Sequence, residues 1–168
     1  MTDVDIRECR ADDVPLLETH LPSPGANRYH EARYRRQAEN TSTFLVAWDG
    51  DRPVAVGEIR WNGCAAPEVR ASFPGCPEIN GLDVAEDRRS RGIGTALLAT
   101  AETCARNRGY HHIGLGVDDD NPRAAALYLR LGYRETGCRY LDRYSYVDAD
   151  GSSHDVADPA RFLVKDLG

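Results

Sequence analysis

The 168-residue chain contains no run of about 18 apolar residues, the length a helix needs to cross a bilayer. Its start, Met1-Thr2-Asp3-Val4-Asp5, has neither the basic region nor the apolar stretch of a secretory signal. No membrane association is expected. The five cysteines (Cys9, Cys64, Cys76, Cys104 and Cys138) are odd in number and include no C-x-x-C pair, so they suggest neither a disulfide framework nor a zinc site. Reduced thiols, a cytoplasmic location and no bound metal are the expectations. Positive charge is also short: 21 Lys+Arg against 27 Asp+Glu give a net charge of −6. Nucleic-acid binding calls for a basic face, so none is expected. The acidic balance is compatible with a cationic or amine substrate, but surface charge of this size more often serves solubility alone. With no internal repeat or low-complexity tract, residues 1–168 read as one domain, long enough to bury a core.

Two nucleotide-binding motifs are missing as well. No Gly-x-x-x-x-Gly-Lys-[Ser/Thr] run occurs, and Gly92-Ile93-Gly94-Thr95-Ala96 is followed by Leu97, which breaks the Gly-x-Gly-x-x-Gly dinucleotide pattern. What is present is two glycines one residue apart at the start of a strongly helical stretch, with Arg88, Arg89 and Arg91 beside them. Glycine lets a ligand approach the backbone closely, and the unpaired amides of a first helical turn favour an anion, above all a phosphate. The stretch 87–98 therefore reads as a phosphate cradle of unspecified ligand.

Along the chain, residues 4–9 read as a strand and 11–20 as a short helix with capping carboxylates and an early proline. Residues 30–38 have helical composition but a thin apolar stripe, which predicts a mobile lid over a groove. Runs 43–48 and 53–61 form a hairpin through Asp49-Gly50. Residues 62–77 carry three prolines and two glycines without periodicity and read as a long irregular loop. Residues 78–84 return to extended structure, where Gly81 signals a bulge. The cradle then opens a helix with Ile93, Leu97 and Ala101 on one face, stopped at Gly109. A strand over 111–117 follows, then a helix opened by Asn121-Pro122 with Ala124, Leu127, Tyr128 and Leu131 at i, i+3, i+4 and i+7. A tyrosine-rich extended run over 133–147, a turn at 148–151 and a last strand over 161–167 complete the reading.

Arg89-Ser90-Arg91-Gly92-Ile93-Gly94 resembles the Arg/Gln-x-x-Gly-x-Gly/Ala signature of the GNAT family, the Gcn5-related acyltransferases that bind the pyrophosphate of acetyl-coenzyme A. The stretch from Asn121 to Tyr133 resembles the family's Asn-x-x-Ala-x-x-Leu-Tyr-x-x-x-Gly-Tyr/Phe pattern at the expected distance. The matching region runs from about Glu78 to Gly137. The resemblance implies an α/β (α+β) fold: a mixed, mostly antiparallel sheet of six or seven strands, flanked by about four helices, whose central parallel pair splays where acetyl-CoA enters.

The resemblance also implies roles. Backbone groups of Leu82, Asp83 and Val84 would bind the pantetheine arm, with the Val84 N–H as oxyanion donor. The amides of Arg89, Ser90, Arg91, Gly92, Ile93, Gly94 and Thr95 would hold the pyrophosphate. Asn121 would contact the coenzyme, or simply cap its helix. Tyr128 would protonate the departing thiolate, or simply pack in the core. Glu78 matches a glutamate used as base in histone-acetylating relatives; alternatively it is a solvated strand-end carboxylate. N-terminal acetylating relatives of the ribosomal-protein type carry a glutamate five residues before the cap Asn, where this chain has Gly116. Asp118, Asp119 and Asp120 could attract a cationic acceptor or form a solvated turn. His111 and His112 read as structural, and His20, His30 and His154 have no partner legible in the sequence. The activity implied is acetyl-CoA-dependent transfer to a primary amine, of a small molecule by the acidic balance and the missing glutamate. A protein N-terminus or lysine stays open as acceptor, and so does a non-catalytic acyl-CoA-binding regulatory module. Homodimers are common among proteins with this resemblance, although the sequence does not fix the oligomeric state.

Overall fold

Alternation along the chain dictates most of the sheet. In a computed structural model describing residues 3–168, the elements are β1 (Asp5–Glu8), α1 (Val14–His20), α2 (Tyr29–Ala38), β2 (Ser42–Asp49), β3 (Arg52–Arg60), α3 (Pro67–Ser72), β4 (Glu78–Val84), α4 (Ile93–Asn107), β5 (His112–Asp118), α5 (Pro122–Arg130), β6 (Arg134–Val147) and β7 (Ser153–Asp166). All seven strands join one sheet in the order β1-β2-β3-β4-β5-β7-β6. Every pairing is antiparallel except β4 with β5. The mixed, mostly antiparallel sheet is the one expected. Helices number five rather than about four, because residues 67–72 of the expected irregular loop fold as α3. Pro67 begins it, as proline readily does. The last strand also begins earlier than residue 161: β6 and β7 are 14 residues each and pair nearly throughout, so the polar stretch 153–160 is held by its partner strand rather than by its own apolar pattern.

The sheet is covered on both faces. Along β2, Phe44, Val46 and Trp48 face α1 with Leu17 and Leu21, while Leu45 and Ala47 face α4 with Leu97, Leu98, Ala101 and Ala105. Burying each large aliphatic side chain contributes about 1.5–3 kcal/mol. A smaller cluster packs Val69 of α3 with Cys64 and Cys76 against Phe162 and Val164 of β7. All five cysteines are unpaired. Among the described residues, no helix is long and apolar enough to cross a membrane.

Candidate active site

The parallel strands β4 and β5 pair only at Glu78↔Gly114 and Ile79↔Leu115. Beyond that point they part. Gly81, at φ 64°, makes a bulge in which Gly57 of β3 faces both Gly81 and Leu82. Glycine suits this conformation, and a Cβ at position 81 would lie 2.7 Å from the Arg33 guanidinium, which would have to shift. Ala85 N–H donates to Val54 O at 2.8 Å, and Asp83 is paired with Val56. By the alternation of an antiparallel ladder, the intervening Val84 and Leu82 amides turn away from β3 into the gap. The gap itself is a cavity of about 230 Å³ whose lining includes Glu78, Leu82, Gly116, Tyr128, Tyr140 and Asp142.

Past β4 the chain makes one 3-10 turn, passes Ser90 at φ 63° and enters α4 through Gly92 at φ 81°. The Ile93 side chain anchors the turn in the core. Ala96 is the first residue whose N–H bonds back, to Gly92 O at 3.0 Å. The amides of Ile93, Gly94 and Thr95 ahead of it point out of the helix start. A Cβ at Gly94 would meet only Val84 Cγ2 at 3.8 Å, so the cradle is open to a ligand. The neighbouring arginines contribute less free charge than expected. Arg88 pairs with Asp49 and Asp87, and Arg89 Nε donates to Val84 O at 3.0 Å. Both tie the loop to β2 and β4.

Glu78 is 4% exposed, not the solvated strand-end carboxylate. Burial holds its carboxyl above the usual range; hydrogen bonds from Asn80 and Cys64 and the charge of Arg60 pull back, and Asp142 adds to the rise. Asn80 Nδ2 donates to Glu78 Oε1 at 3.1 Å. Burial, with the charge of Glu78 beside it, pushes the Cys64 thiol up to about 12. Across the gap, the half-buried Tyr128 ring packs edge-on to Tyr133 with centroids 6.2 Å apart, and burial raises its phenol, which therefore keeps its proton at neutral pH. Asn121 caps α5, its Oδ1 accepting from Ala124 N–H at 3.1 Å. Of the three aspartates, Asp118 turns into the gap, Asp119 is engaged by Arg139 and Arg161, and Asp120 is exposed. Burial and the charges of Asp142 and Asp158 raise the Asp118 carboxyl.

Glu78, Asn80, Tyr140 and Asp142 also border a second cavity of about 680 Å³, walled by α2, the start of α3 and β6. The segment expected as a lid, α2, covers it. The connection into α2 is tied to the tip of β6: Asn27 Nδ2 donates to Val147 O at 2.9 Å and Asn27 Oδ1 accepts from Val147 N–H at 2.8 Å. His30, which had no partner legible in the sequence, is buried with its Nε2 2.6 Å from Leu21 O.

Sequence reasoning missed Tyr140. Its phenol fills the space beside Gly116, where a Cβ would lie 1.8 Å from the hydroxyl. The only signal was its place in a tyrosine-rich strand. Arg33 was missed too, because the Gly81 bulge that receives it lies 48 positions away by number.

A model of the acetyltransferase (GNAT) family matches residues 12–133. Streptothricin acetyltransferase of Streptomyces lavendulae is 29% identical over 134 residues, which are 79% of this chain and 64% of that protein. The chain thus spans less than two-thirds of that relative, and only 20% of the mycothiol acetyltransferase of Clavibacter sepedonicus, with which it is 41% identical over 61 residues, 36% of this chain. The crystal structure of an N-acetyltransferase from Staphylococcus aureus Mu50 superposes with a TM-score of 0.71 at 16% identity, covering 99% of this chain and 100% of that one. A GNAT family acetyltransferase from Elizabethkingia anophelis with acetyl-CoA bound superposes with a TM-score of 0.63 at 16% identity, covering 99% of both. On the family match, over a fold whose parallel pair parts above a glycine-entered helix, the chain belongs to the GNAT acetyltransferase family.

Proposed function

We propose that the protein is an acetyl-CoA-dependent N-acetyltransferase that acts on the primary amine of a small molecule. The observation that carries this reading is that Glu78, the Leu82 backbone and Tyr128 line a single cavity at the point where β4 and β5 part. The residues present fit the coenzyme. The Leu82 and Val84 backbone would hold the pantetheine arm as an added strand would. The amides of Ile93, Gly94 and Thr95, with those of Arg89–Gly92 before them, would receive the pyrophosphate. Bound acetyl-CoA supplies the activated acetyl group.

The chain's own groups divide the remaining work. An amine attacks only when neutral, and Glu78, drawn above the usual carboxylate range by burial, is placed to take its proton. Tyr128, still protonated at neutral pH, is placed to give one to a departing thiolate. For the backbone donor to a developing oxyanion, Leu82 is a better choice than Val84, because Leu82 shares the cavity with Glu78 and Tyr128 whereas Val84 lines the neighbouring cavity with Arg89. Asn121, whose oxygen is engaged as a cap, keeps only its amide nitrogen for the coenzyme. A small acceptor is favoured by the name of the streptothricin-acetylating relative and by Gly116, where the resemblance puts a glutamate in N-terminal acetylating members of the ribosomal-protein type.

Tyr128→Phe tests the reading. Release of free CoA thiol should fall by about 10²–10⁴-fold in kcat with acetyl-CoA affinity retained. Unchanged turnover removes Tyr128 as the acid. If the wild-type protein binds acetyl-CoA yet no amine in a broad panel releases CoA, a non-catalytic acyl-CoA-binding module replaces the enzyme. Acetylation of peptide N-termini or lysines in preference to small amines would move the acceptor to protein.

A further inference from the structure

The charges around the larger cavity are divided in a way that an acceptor bearing only an amine would leave unanswered. Glu78 and Asp142 stand at the end it shares with the β4–β5 gap, and Arg33, Arg36, Arg60 and Arg143 also line it. Arg36 is committed: its Nε and Nη2 donate to the buried Glu58 at 2.7 and 2.8 Å. Arg33, Arg60 and Arg143 form no ion pair among the described residues.

Arg33 is the most constrained of the three. Its guanidinium lies over the Gly81 bulge, in the space a side chain at that position would fill. The rings of Tyr29 and Phe44 lie 5.9 and 6.0 Å from it. Its Nη1 is 3.5 Å from His30 Nδ1, and the other nitrogen of that ring is bound to Leu21 O. With Nε2 donating to that carbonyl, Nδ1 is left as an acceptor that orients the guanidinium. Burial pulls Arg33 below its ordinary value; of the carboxylates whose charges oppose this, Glu58 is already hydrogen-bonded to Arg36 and Asp83 forms no ion pair with Arg33. A desolvated guanidinium with no carboxylate of its own is a standing cost that an anionic ligand offsets. Its planar fork matches a carboxylate in two parallel hydrogen bonds.

We infer that the acceptor is an amino carboxylate, a primary amine that also carries a carboxylate, with the amine at the Glu78 and Asp142 end and the carboxylate on Arg33. This rests on the acetyl-transfer reading above and adds to it the second functional group that selects the substrate. Extended chain from Glu78 to Gly81 spans about 10 Å, so the two ends lie close enough for one small molecule to touch both. The apolar wall, made of Tyr29, Ala66, Pro67 and Leu141, would take its side chain. Polyamines and decarboxylated amines lack the group that Arg33 calls for.

The test compares matched acceptors by CoA-thiol release: phenylalanine, leucine, lysine and β-alanine, each against its decarboxylated amine and its carboxamide. The wild-type protein should prefer the carboxylate member of at least one set by about 10–100-fold in kcat/KM, the range expected for a charge-assisted pair. Arg33→Gln should erase that preference, chiefly through the KM of the carboxylate member; Arg33→Lys should restore part of it. The wild-type comparison stands even if a variant does not fold. If decarboxylated amines are equal or better acceptors, or if Arg33→Gln lowers both members alike, the inference is overturned while acetyl transfer to amines survives. If no amine of either kind releases CoA although acetyl-CoA binds, the acetyl-transfer reading falls, and the inference with it.

Discussion

Replacing Glu78 by Gln separates two consequences of burying one carboxylate. The side chain is 4% exposed, and its carboxyl is raised first by burial, then modulated by Asn80, Cys64 and Arg60 on one side and Asp142 on the other. Raised above its unfolded value of about 4.5, the group contributes fully to stability below that pH and loses the contribution as pH climbs through the folded value. As pH rises above the unfolded value, the wild-type protein therefore bears the cost of a carboxyl whose ionisation burial opposes, and Glu78→Gln does not. The variant should resist urea better than the wild type at neutral pH, and the difference should vanish in acid. Its rate should move the other way. A base must be ionised to act, so wild-type kcat should rise with pH along a limb set above the ordinary carboxylate range. Gln removes that limb and lowers kcat by about 10²–10⁴-fold, roughly 3–5 kcal/mol. CoA-thiol release between about pH 5 and 8 and paired urea titrations read both effects. A limb that persists unchanged in Glu78→Gln assigns proton removal to water or another residue. A variant less stable than wild type at neutral pH would mean that the partners of Glu78 outweigh its burial, and the argument from desolvation would fail.

Two further predictions concern packing around the site and in the core. Gly116→Ala forces the Tyr140 phenol to move, because the new Cβ would lie 1.8 Å from its oxygen but 3.1 Å from the ring carbon that bears it. The cost should be about 1–3 kcal/mol by chemical denaturation and should shrink markedly in a Tyr140→Phe background; equal costs in both backgrounds would refute the contact. Glu102, buried in α4, accepts from Tyr133 Oη and from Lys165 Nζ, both at 2.9 Å. Lys165→Met strands that carboxylate and should destabilise by about 2–4 kcal/mol, toward the lower end of the range for buried pairs because Lys165 is 24% exposed. Adding Glu102→Leu should recover most of the loss, and a single-variant cost within about 1 kcal/mol would place the pair among ordinary surface bridges.

The backbone cradle and two side chains of the candidate site, Glu78 and Tyr128, were legible in the sequence, and Arg33 and Tyr140 were not. Gly92 and Gly94 announce the cradle because a left-handed residue and an open helix start are local demands, met within a few residues. Asn121 announces its cap for the same reason, whereas the period of α5 marks Tyr128 only as a core tyrosine and the family resemblance is what points it to the gap. Gly81 marked a bulge, but what fills the space above it comes from α2, where Arg33 looks like one more charge on a polar helix. The six residues of α3 are too few to establish a period, and they form because Val69 finds Phe162 and Val164 of β7. The strand 153–160 has no pattern of its own and is ordered by its pairing with β6. Even within the cradle, composition overstated the charge: that Arg88 is spent on Asp49 depends on a hairpin turn 39 positions earlier.

Position 116 ties these parts together. In the sequence it is a bare absence, a glycine where N-terminal acetylating relatives have a glutamate. In the structure the space there is filled by Tyr140, whose phenol reaches from β6 to stand beside Cys64 and Glu78. A side chain at 116 and a phenol at 140 compete for one volume, so a base on β5 would displace the phenol that stands beside Glu78, the base proposed on β4. The two placements of the base are alternatives rather than additions. On the acetyl-transfer reading, a chain with Gly116 and Tyr140 would therefore draw the proton off from the β4 side, where the cavity beneath α2 meets Glu78. On that same reading the acceptor would approach through this cavity past Arg33, which would meet a carboxylate before the amine reaches Glu78.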